Sequence, residues 1–475
     1  MNGLEQVVLL ASAAILGYYL AVQVVYLLIH VAGVMELDRD LREARWGPIF
    51  NPFDSPFLPG IAVVVPAYNE EAVIEASVQS LLDLDYPDTE VVVVNDGSTD
   101  GTLARLIERF DLVEIDARPP VEVPTTYIDA VYRSADAENL LVVDKVNGGT
   151  GDALNAGLWL TEKPLFCTVD ADTLISRDGL MKVVRPFLEN PDLTVATGGT
   201  VRTVNGCTVE GGQVVETGLP GSWLAKLQAV EYLRAFYSGR LGLTKLDSLV
   251  LISGAFGLFR TDVVRDIGGF DTDSVTEDFE LTVRLHRHLR ERDRPYTVDF
   301  VPEPVVWTEV PEDRAQLGRQ RRRWYRGLVD TLVRHRDMIG NPRYGRVGTF
   351  ALPLFVLVEA LGPLLEGVGY LLVTVAFLAG LFALDPLLLY FMLTVGVGLV
   401  LSWLSVFGEV WSFRRYDRPR QVLALLAWSV VENFGYRQWR TVQAWRGLID
   451  YLRGVESWGK MERRGFGNDA DDGGE

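Results

Sequence analysis

Lysine is scarce in this chain. Only Lys145, Lys163, Lys182, Lys226, Lys245 and Lys460 stand among 45 basic residues, and 64 acidic residues leave a net charge of −19. An acidic, lysine-poor composition keeps a protein soluble in concentrated salt, where charge repulsion is screened, and it predicts a halophilic source. No basic face dominates, which argues against nucleic acid as a partner. Cysteine is nearly absent as well. Cys167 and Cys207 are too few for a disulfide framework or a zinc-finger spacing, and they read as a reduced, buried pair in a cytosolic domain. No internal repeat is present. What the chain does have is apolar residues: 48% of 475, with a mean hydropathy of +0.14. That is high for a wholly soluble protein and low for a pure transporter. A soluble domain joined to membrane helices accounts for both, and the length suits two or three units.

Val7 to Val34 is almost entirely apolar and exceeds the roughly 20 residues that span a bilayer. With no small-residue cleavage site after it, residues 1–35 read as an anchor rather than a signal peptide. Arg39, Arg42 and Arg45 follow, which puts the N-terminus outside and the next domain in the cytoplasm. Residues 36–60 are a proline-rich linker. From 61 to 345, short β-branched runs alternate with amphipathic stretches, which predicts a mostly parallel α/β sheet with helices on both faces. Residues 346–413 form the second apolar block. Its first part, 350–366, carries Pro353, Glu359, Pro363 and Glu366 and reads as an interfacial or re-entrant helix, with Val368–Leu384 completing a span. Pro386–Phe413 is a second clean span, followed by Arg414, Arg415, Arg418 and Arg420 on the cytoplasmic side. Residues 414–464 read as interfacial helices, and 465–475 as a short acidic tail.

Five polar motifs occur in a fixed order. In an open α/β sheet, ligands bind beyond the carboxyl ends of the strands, and three motifs fall there: Ala67-Tyr68-Asn69-Glu70, Asp96-Gly97-Ser98 and Asp170-Ala171-Asp172. Asp96 can accept a base's imide N–H across a tight glycine turn; a plain Asx-turn is the alternative. Asp170 and Asp172, two apart on what reads as extended chain, offer hard oxygen ligands for Mg²⁺ or Mn²⁺ completed by substrate phosphates. The alternative is a solvated acidic turn. Asp278, in Val-Thr-Glu-Asp, is either a general base or a helix cap. Gln320 to Trp324 joins three arginines to an indole. Guanidinium forks match phosphate and the ring stacks on a sugar, whereas a patch for anionic lipid is the competing explanation. His286 and His288 read as surface or structural, and His30 as interfacial.

Together these residues resemble the membrane-bound branch of glycosyltransferase family 2, which includes cellulose, chitin, hyaluronan and poly-N-acetylglucosamine synthases. Val64-Val65-Pro66-Ala67-Tyr68-Asn69-Glu70-Glu71, Asn95-Asp96-Gly97-Ser98, Asp170-Ala171-Asp172, Ser253-Gly254-Ala255-Phe256-Gly257, Gly268-Gly269-Phe270, Glu277-Asp278 and Gln320-x-x-Arg323-Trp324 follow that branch's order, and Ser457 to Arg463 resembles its tail. The resemblance implies a GT-A fold, a UDP-sugar donor, a divalent metal and inversion at the anomeric carbon. It implies that Pro66, Tyr68, Glu70, Asp96 and Asp170 bind the nucleotide sugar, Asp96 through uracil. Asp172 would hold the metal and Asp278 would be the base. Glu277, Gln320, Arg323 and Trp324 would face diphosphate and acceptor. There is one departure: Thr150 stands where the family often has lysine, which puts donor affinity and sugar identity in question.

The favoured expectation is a processive polysaccharide synthase in the plasma membrane, with Glu359 and Glu366 lining a polar path. Transfer of a single sugar to a lipid or lipid-linked acceptor uses the same residues. A nucleotide-sugar binding module without turnover is the reading from a different class.

Overall fold

The computed structural model describes residues 3–45, 58–117, 123–380, 384–413, 416 and 418–455. Residues 46–57 of the expected linker, Arg414, Arg415, the segment Ser457 to Arg463 and the acidic tail lie outside the described residues.

The strands in chain order are β1 (Ile61–Ala67), β2 (Thr89–Asp96), β3 (Leu112–Glu114), β4 (Ile128–Ser134), β5 (Leu140–Lys145), β6 (Leu165–Val169), β7 (Thr173–Ile175), β8 (Thr194–Thr203), β9 (Thr208–Glu210), β10 (Gln213–Glu216), β11 (Phe256–Arg260) and β12 (Thr297–Thr308). One ten-stranded sheet runs β3-β4-β5-β2-β1-β6-β11-β8-β12-β7, and β9 and β10 form a separate hairpin. The helices before the second apolar block are α1 (Gly3–Arg45), α2 (Ile74–Leu82), α3 (Thr102–Arg109), α4 (Thr150–Leu160), α5 (Gly179–Glu189), α6 (Trp223–Leu233), α7 (Leu241–Lys245), α8 (Thr261–Asp266), α9 (Glu277–Glu291) and α10 (Arg314–Arg334). A π-helical segment, Arg234–Arg240, joins α6 to α7.

Val63 to Val65 of β1 and Val91 to Val94 of β2 are fully buried. Continuous apolar runs of this kind are what strands need when both faces are covered, and each such side chain contributes about 1.5–3 kcal/mol by leaving water. The sheet is mixed, however, rather than mostly parallel. β1–β2, β1–β6, β2–β5 and β8–β12 pair in parallel, against five antiparallel pairings: β11–β6, β11–β8, β12–β7, β3–β4 and β4–β5. The reversed strands are mostly short and follow no amphipathic helix of their own, so strand–helix alternation does not reveal them. β11 matters most for function. Because it runs against β6, with Phe256 opposite Val169, its entry segment Ser253-Gly254-Ala255 arrives at the edge where β6 ends.

The second apolar block differs from its expected layout. Residues 350–366 are continuous with the span after them. π-helical turns at Val347–Ala351 and Phe355–Ala360 flank α11 (Leu352–Leu354) and pass into α12 (Leu361–Leu378), giving one helical run from Val347 to Leu378. Pro353 and Pro363 each lack an N–H, and the wider turns lie beside them, where the regular ladder would be interrupted. α13 (Leu384–Phe413), α14 (Pro419–Val431) and α15 (Tyr436–Leu452) complete the described chain. Among the described residues, three helical stretches are long and apolar enough to cross a membrane: Leu10–Arg39, Val347–Leu378 and Val395–Phe413. α14, at 13 residues, is too short to do so.

A buried ion pair and a half-buried one tie these helices to the sheet-bearing half. Arg202 of β8 meets Glu409 of α13, 3% and 0% exposed. Arg234 of the π-segment meets Glu432 at 2.5 Å and Ser402 at 2.9 Å.

Candidate active site

The carboxyl ends of β1, β2 and β6 open onto a cavity of about 1410 Å³. All eleven residues singled out in the sequence line it: Pro66, Tyr68, Glu70, Asp96, Asp170, Asp172, Glu277, Asp278, Gln320, Arg323 and Trp324. It continues past them to Tyr18 and Tyr26 of α1, Glu359 and Glu366.

One side is built on strand ends cross-tied by hydrogen bonds. Asn69, at φ 58°, turns the chain after β1; its N–H donates to Ser98 Oγ at 3.0 Å and its side-chain oxygen accepts from Thr99 N at 2.8 Å. Glu70 N donates to Thr102 Oγ1 at 2.9 Å. Gly97, at φ 66°, leaves no room for a side chain, since a Cβ there would sit 2.8 Å from Asn147 N. That close approach brings the Asn147–Gly149 turn over the end of β2.

Asp96, the last residue of β2, is not as open as the sequence suggested. Lys145 Nζ reaches its Oδ1 at 2.6 Å, Gly148 N donates to Oδ1 at 2.9 Å, and Gly149 N donates to Oδ2 at 2.8 Å. A carboxylate has about four lone-pair sites, so one on Oδ2 remains for a ligand. Lys145, with a fully buried side chain, also pairs with Asp152 at 2.6 Å. Asp152 in turn accepts from Thr126 N at 3.0 Å and Thr126 Oγ1 at 2.8 Å. Neither Lys145 nor Asp152 was singled out in the sequence. The available signal was a lysine closing the apolar strand β5, three residues before a paired glycine. Thr150 opens α4 and lines the cavity.

Asp170 and Asp172 lie in the turn between β6 and β7, not on extended chain, yet both face the cavity, and Asp172 is buried. Among the described residues no group of three His, Cys, Asp or Glu side chains stands ready for a metal. Two carboxylates at a diphosphate-sized cavity still suit Mg²⁺ or Mn²⁺, which usually take one or two carboxylates and complete their shell from phosphate and water.

The other side comes from helices. Asp278 is the second residue of α9, where the helix dipole favours an anion. It accepts from Gly254 N and from Phe279 N, each at 2.8 Å. Burial pushes its carboxyl above the usual range, against the pull of those two N–H groups and of Arg240 and Arg323. Glu277 is pushed up more strongly, by burial and then by the neighbouring Asp278, with Arg323 opposing. α10 can approach this turn because of Gly327. A Cβ there would lie 2.3 Å from Thr276 Oγ1, so glycine lets the helix lie against the turn and sets Arg323, one turn earlier, near Glu277. Gln320 presents a buried Oε1 that has no hydrogen-bond partner among the described residues, a group that costs stability until a ligand satisfies it.

Arg240 was missed. It closes the π-segment, lines the cavity, and stacks its guanidinium 3.8 Å above the Phe236 ring. Burial lowers its pKa to about 10, with Asp278 pulling it back up. A π-turn beside a reacting centre is a recurrent functional device, but no sequence motif marks this arginine. The remaining candidates are structural. His286 is buried, its ring nitrogens 2.7 Å from Tyr296 Oη and 2.8 Å from Leu249 O, and burial lowers its pKa to about 4. Both cysteines are free, Cys167 buried and Cys207 only half-buried.

A family model described as glycosyltransferase-like family 2 matches residues 59–327. In sequence the chain is similar to a poly-beta-1,6-N-acetyl-D-glucosamine synthase of Staphylococcus epidermidis, 28% identical over 276 residues, which cover 58% of this chain and 56% of that protein. A synthase of the same name from Staphylococcus aureus (strain COL) is 27% identical over 301 residues, covering 63% and 60%. The chain therefore spans under two thirds of these relatives' own length. In structure it is similar to the mannosyltransferase PcManGT from Pyrobaculum calidifontis in complex with GDP-Man and Mn²⁺, with a TM-score of 0.50 and 20% identity, over 89% of this chain and 99% of that one. At that identity the likeness is one of fold: the mixed α/β GT-A fold.

Proposed function

We propose that this chain, which belongs to glycosyltransferase-like family 2, is a membrane-embedded inverting transferase that builds a polysaccharide from a UDP-sugar. The observation that carries the reading is the continuity of one cavity. It runs from the strand-end carboxylates, past Asp278 and Trp324, to Glu359 and Glu366 on the apolar helical run. A transferase that released a soluble product would need only the first part of that path. The names of its relatives favour N-acetylglucosamine as the sugar unit.

In this reading the sheet edge binds donor, with Asp96 accepting from uracil and Asp170 beside the nucleotide. Asp170 and Asp172 would hold Mg²⁺ or Mn²⁺ against the diphosphate; the ion, when bound, neutralises charge on the departing UDP. Arg323 and Gln320 take the diphosphate, and Trp324 stacks on the acceptor sugar. Asp278 removes the proton from the acceptor hydroxyl. The hydroxyl oxygen bonds to the anomeric carbon from the face opposite UDP, the bond from that carbon to the diphosphate oxygen breaks, and the proton stays on Asp278. One displacement inverts the configuration, so an α-linked donor gives a β-linked chain.

The proposed layout keeps 61–345 as the transferase domain and places it in the cytoplasm. Arg39, Arg42 and Arg45 after the first candidate span, and Arg418 and Arg420 after the last, support that side.

The test is UDP release from membranes in high salt with Mg²⁺ or Mn²⁺, using UDP-N-acetylglucosamine, other UDP-sugars and GDP-mannose, followed by sizing the labelled product. Long polymer from one sugar, lost in Asp278→Asn, is expected. A solvent-extractable single-sugar product moves the assignment to a lipid glycosyltransferase.

A further inference from the structure

Glu231, near the end of α6, is held from two other helices at once. Arg321 of α10 reaches its Oε2 at 2.8 Å, and Arg440 of α15 reaches its Oε1 at 2.8 Å. Tyr436, the first residue of α15, donates to Oε2 at 3.2 Å. Burial pushes the Glu231 carboxyl up, but the guanidiniums of Arg321, Arg440 and Arg234 outweigh it and hold the group below its usual range. One carboxylate thus fixes two cations, Arg321 on the buried side and Arg440, 41% exposed, on the other, and the charged hydrogen bond is stronger where water is excluded.

Arg321 does a second thing. Its guanidinium carbon sits 4.4 Å from the centroid of the Trp324 ring, one helical turn along α10. Arg321, Trp324, Glu231 and Arg440 all line the same cavity. A guanidinium over an indole restricts the ring by cation–π attraction and flat stacking. Its own position is set by Glu231, and Glu231 is shared with Arg440.

We propose that Arg321 and Glu231 are positioning residues that set the plane of Trp324 for the acceptor sugar, and that Arg440 makes this setting depend on how α15 is docked. The proposal rests on reading Trp324 as the acceptor-contacting side chain. A helix outside the transferase motifs thereby governs acceptor engagement.

α15 does not depend on Arg440 to stay in place. Arg322 Nε also bonds Gln443 Oε1 at 3.1 Å, Arg326 donates to the Val455 carbonyl, and Gly447 packs against Tyr325. Arg440→Met should therefore leave the helix docked while removing half of the anchor. Arg321→Lys keeps a cation for Glu231 but loses the flat stack.

The experiment uses the full chain in detergent with UDP-N-acetylglucosamine and an N-acetylglucosamine trisaccharide as acceptor. Arg321→Lys and Arg440→Met are expected to raise the trisaccharide KM about tenfold, the scale of a lost cation–π contact, and to raise the share of UDP released without sugar transfer. UDP affinity, read with a fluorescent UDP analogue, stays within about threefold, because only the acceptor side has moved. A purely packing role would lower stability without splitting acceptor KM from UDP affinity. In a double-mutant cycle, Arg440→Met added to Trp324→Ala should cost no more than Trp324→Ala alone. Full additivity, or an unchanged trisaccharide KM in Arg321→Lys, overturns the proposal. If Trp324→Ala itself leaves that KM unchanged, the acceptor reading of Trp324 fails and the positioning role falls with it. If Trp324→Ala raises it and Arg321→Lys does not, only the positioning role falls.

Discussion

The two walls of the cavity are made in different ways. On the strand-end wall, groups are tied between loops that follow sheet strands, through backbone N–H groups, short hydroxyl side chains and the buried Lys145 ammonium. Asn69 is tied to Ser98 and Thr99, and Asp96 to Gly148 and Gly149. On the helical wall, groups are fixed by side-chain pairs between distant segments: Arg321 and Arg440 on Glu231, Arg234 on Glu432, Arg437 on Glu366 at 2.6 Å. Groups held mainly by short local hydrogen bonds have little freedom to move. Paired groups respond to a single substitution on either partner. The first kind suits a nucleotide that must be held the same way in every cycle. The second suits an acceptor whose end must be released and caught again.

That contrast can be broken most sharply at Asp278. Asp278→Asn should lower transfer by about 10²–10⁴-fold, the usual range for a lost general base, while UDP binding is kept; steady-state turnover and nucleotide titration together decide it. Next comes the fully buried Lys145 on the strand-end wall. Lys145→Met leaves the buried Asp96 and Asp152 carboxylates with neutral N–H and hydroxyl donors but without the ammonium between them, and breaking a buried pair in this way costs about 3–5 kcal/mol. Denaturant unfolding and UDP affinity should both suffer, and a variant as stable as wild type would remove the claim that Lys145 organises this wall. Gly327→Ala is a smaller test. It forces a methyl against Thr276, and overpacking of that kind costs about 1–3 kcal/mol, with lowered turnover because Arg323 moves from Glu277; wild-type turnover would count against the close approach. The smallest effect is a shift in pH dependence. Arg240 favours the ionised form of Asp278, so Arg240→Met should raise the base's pKa further. Because the base acts ionised, the acid limb of the pH–rate profile moves to higher pH. An unmoved limb would separate Arg240 from the base.

The sequence was readable where function sits in short contiguous motifs. Tyr68 to Glu70, Asp96 and Asp170 follow buried strands, and a strand run plus a turn residue is a local signal. β1, β2, β5 and β6 are recognisable for the same reason. β4, β7 and β11 are not: each runs antiparallel to its sheet neighbours, β7 has only three residues, and β7 and β11 are defined by neighbours remote in the chain. Glu231, Arg240 and Asp152 escaped because their importance lies in side-chain pairs formed across turns and between separate elements, or in a π-turn that no composition announces. The helical run Val347–Leu378 was misjudged because proline and glutamate lower apparent hydrophobicity, whereas the structure accommodates both with wider turns and with partners such as Arg437 and Tyr26.

The buried pair between Arg202 and Glu409 bears on how the protein is made. Roughly 200 residues separate the two partners. At about 5–20 residues per second, the ribosome needs on the order of 10–40 s to deliver the glutamate after the arginine. Until then β8 carries a cation with no counter-ion, and the glutamate arrives on one of the helices long enough to cross a bilayer. Pairing of β8 with that helix has to wait until the helix has been made, so the strand acquires its buried counter-ion late in synthesis.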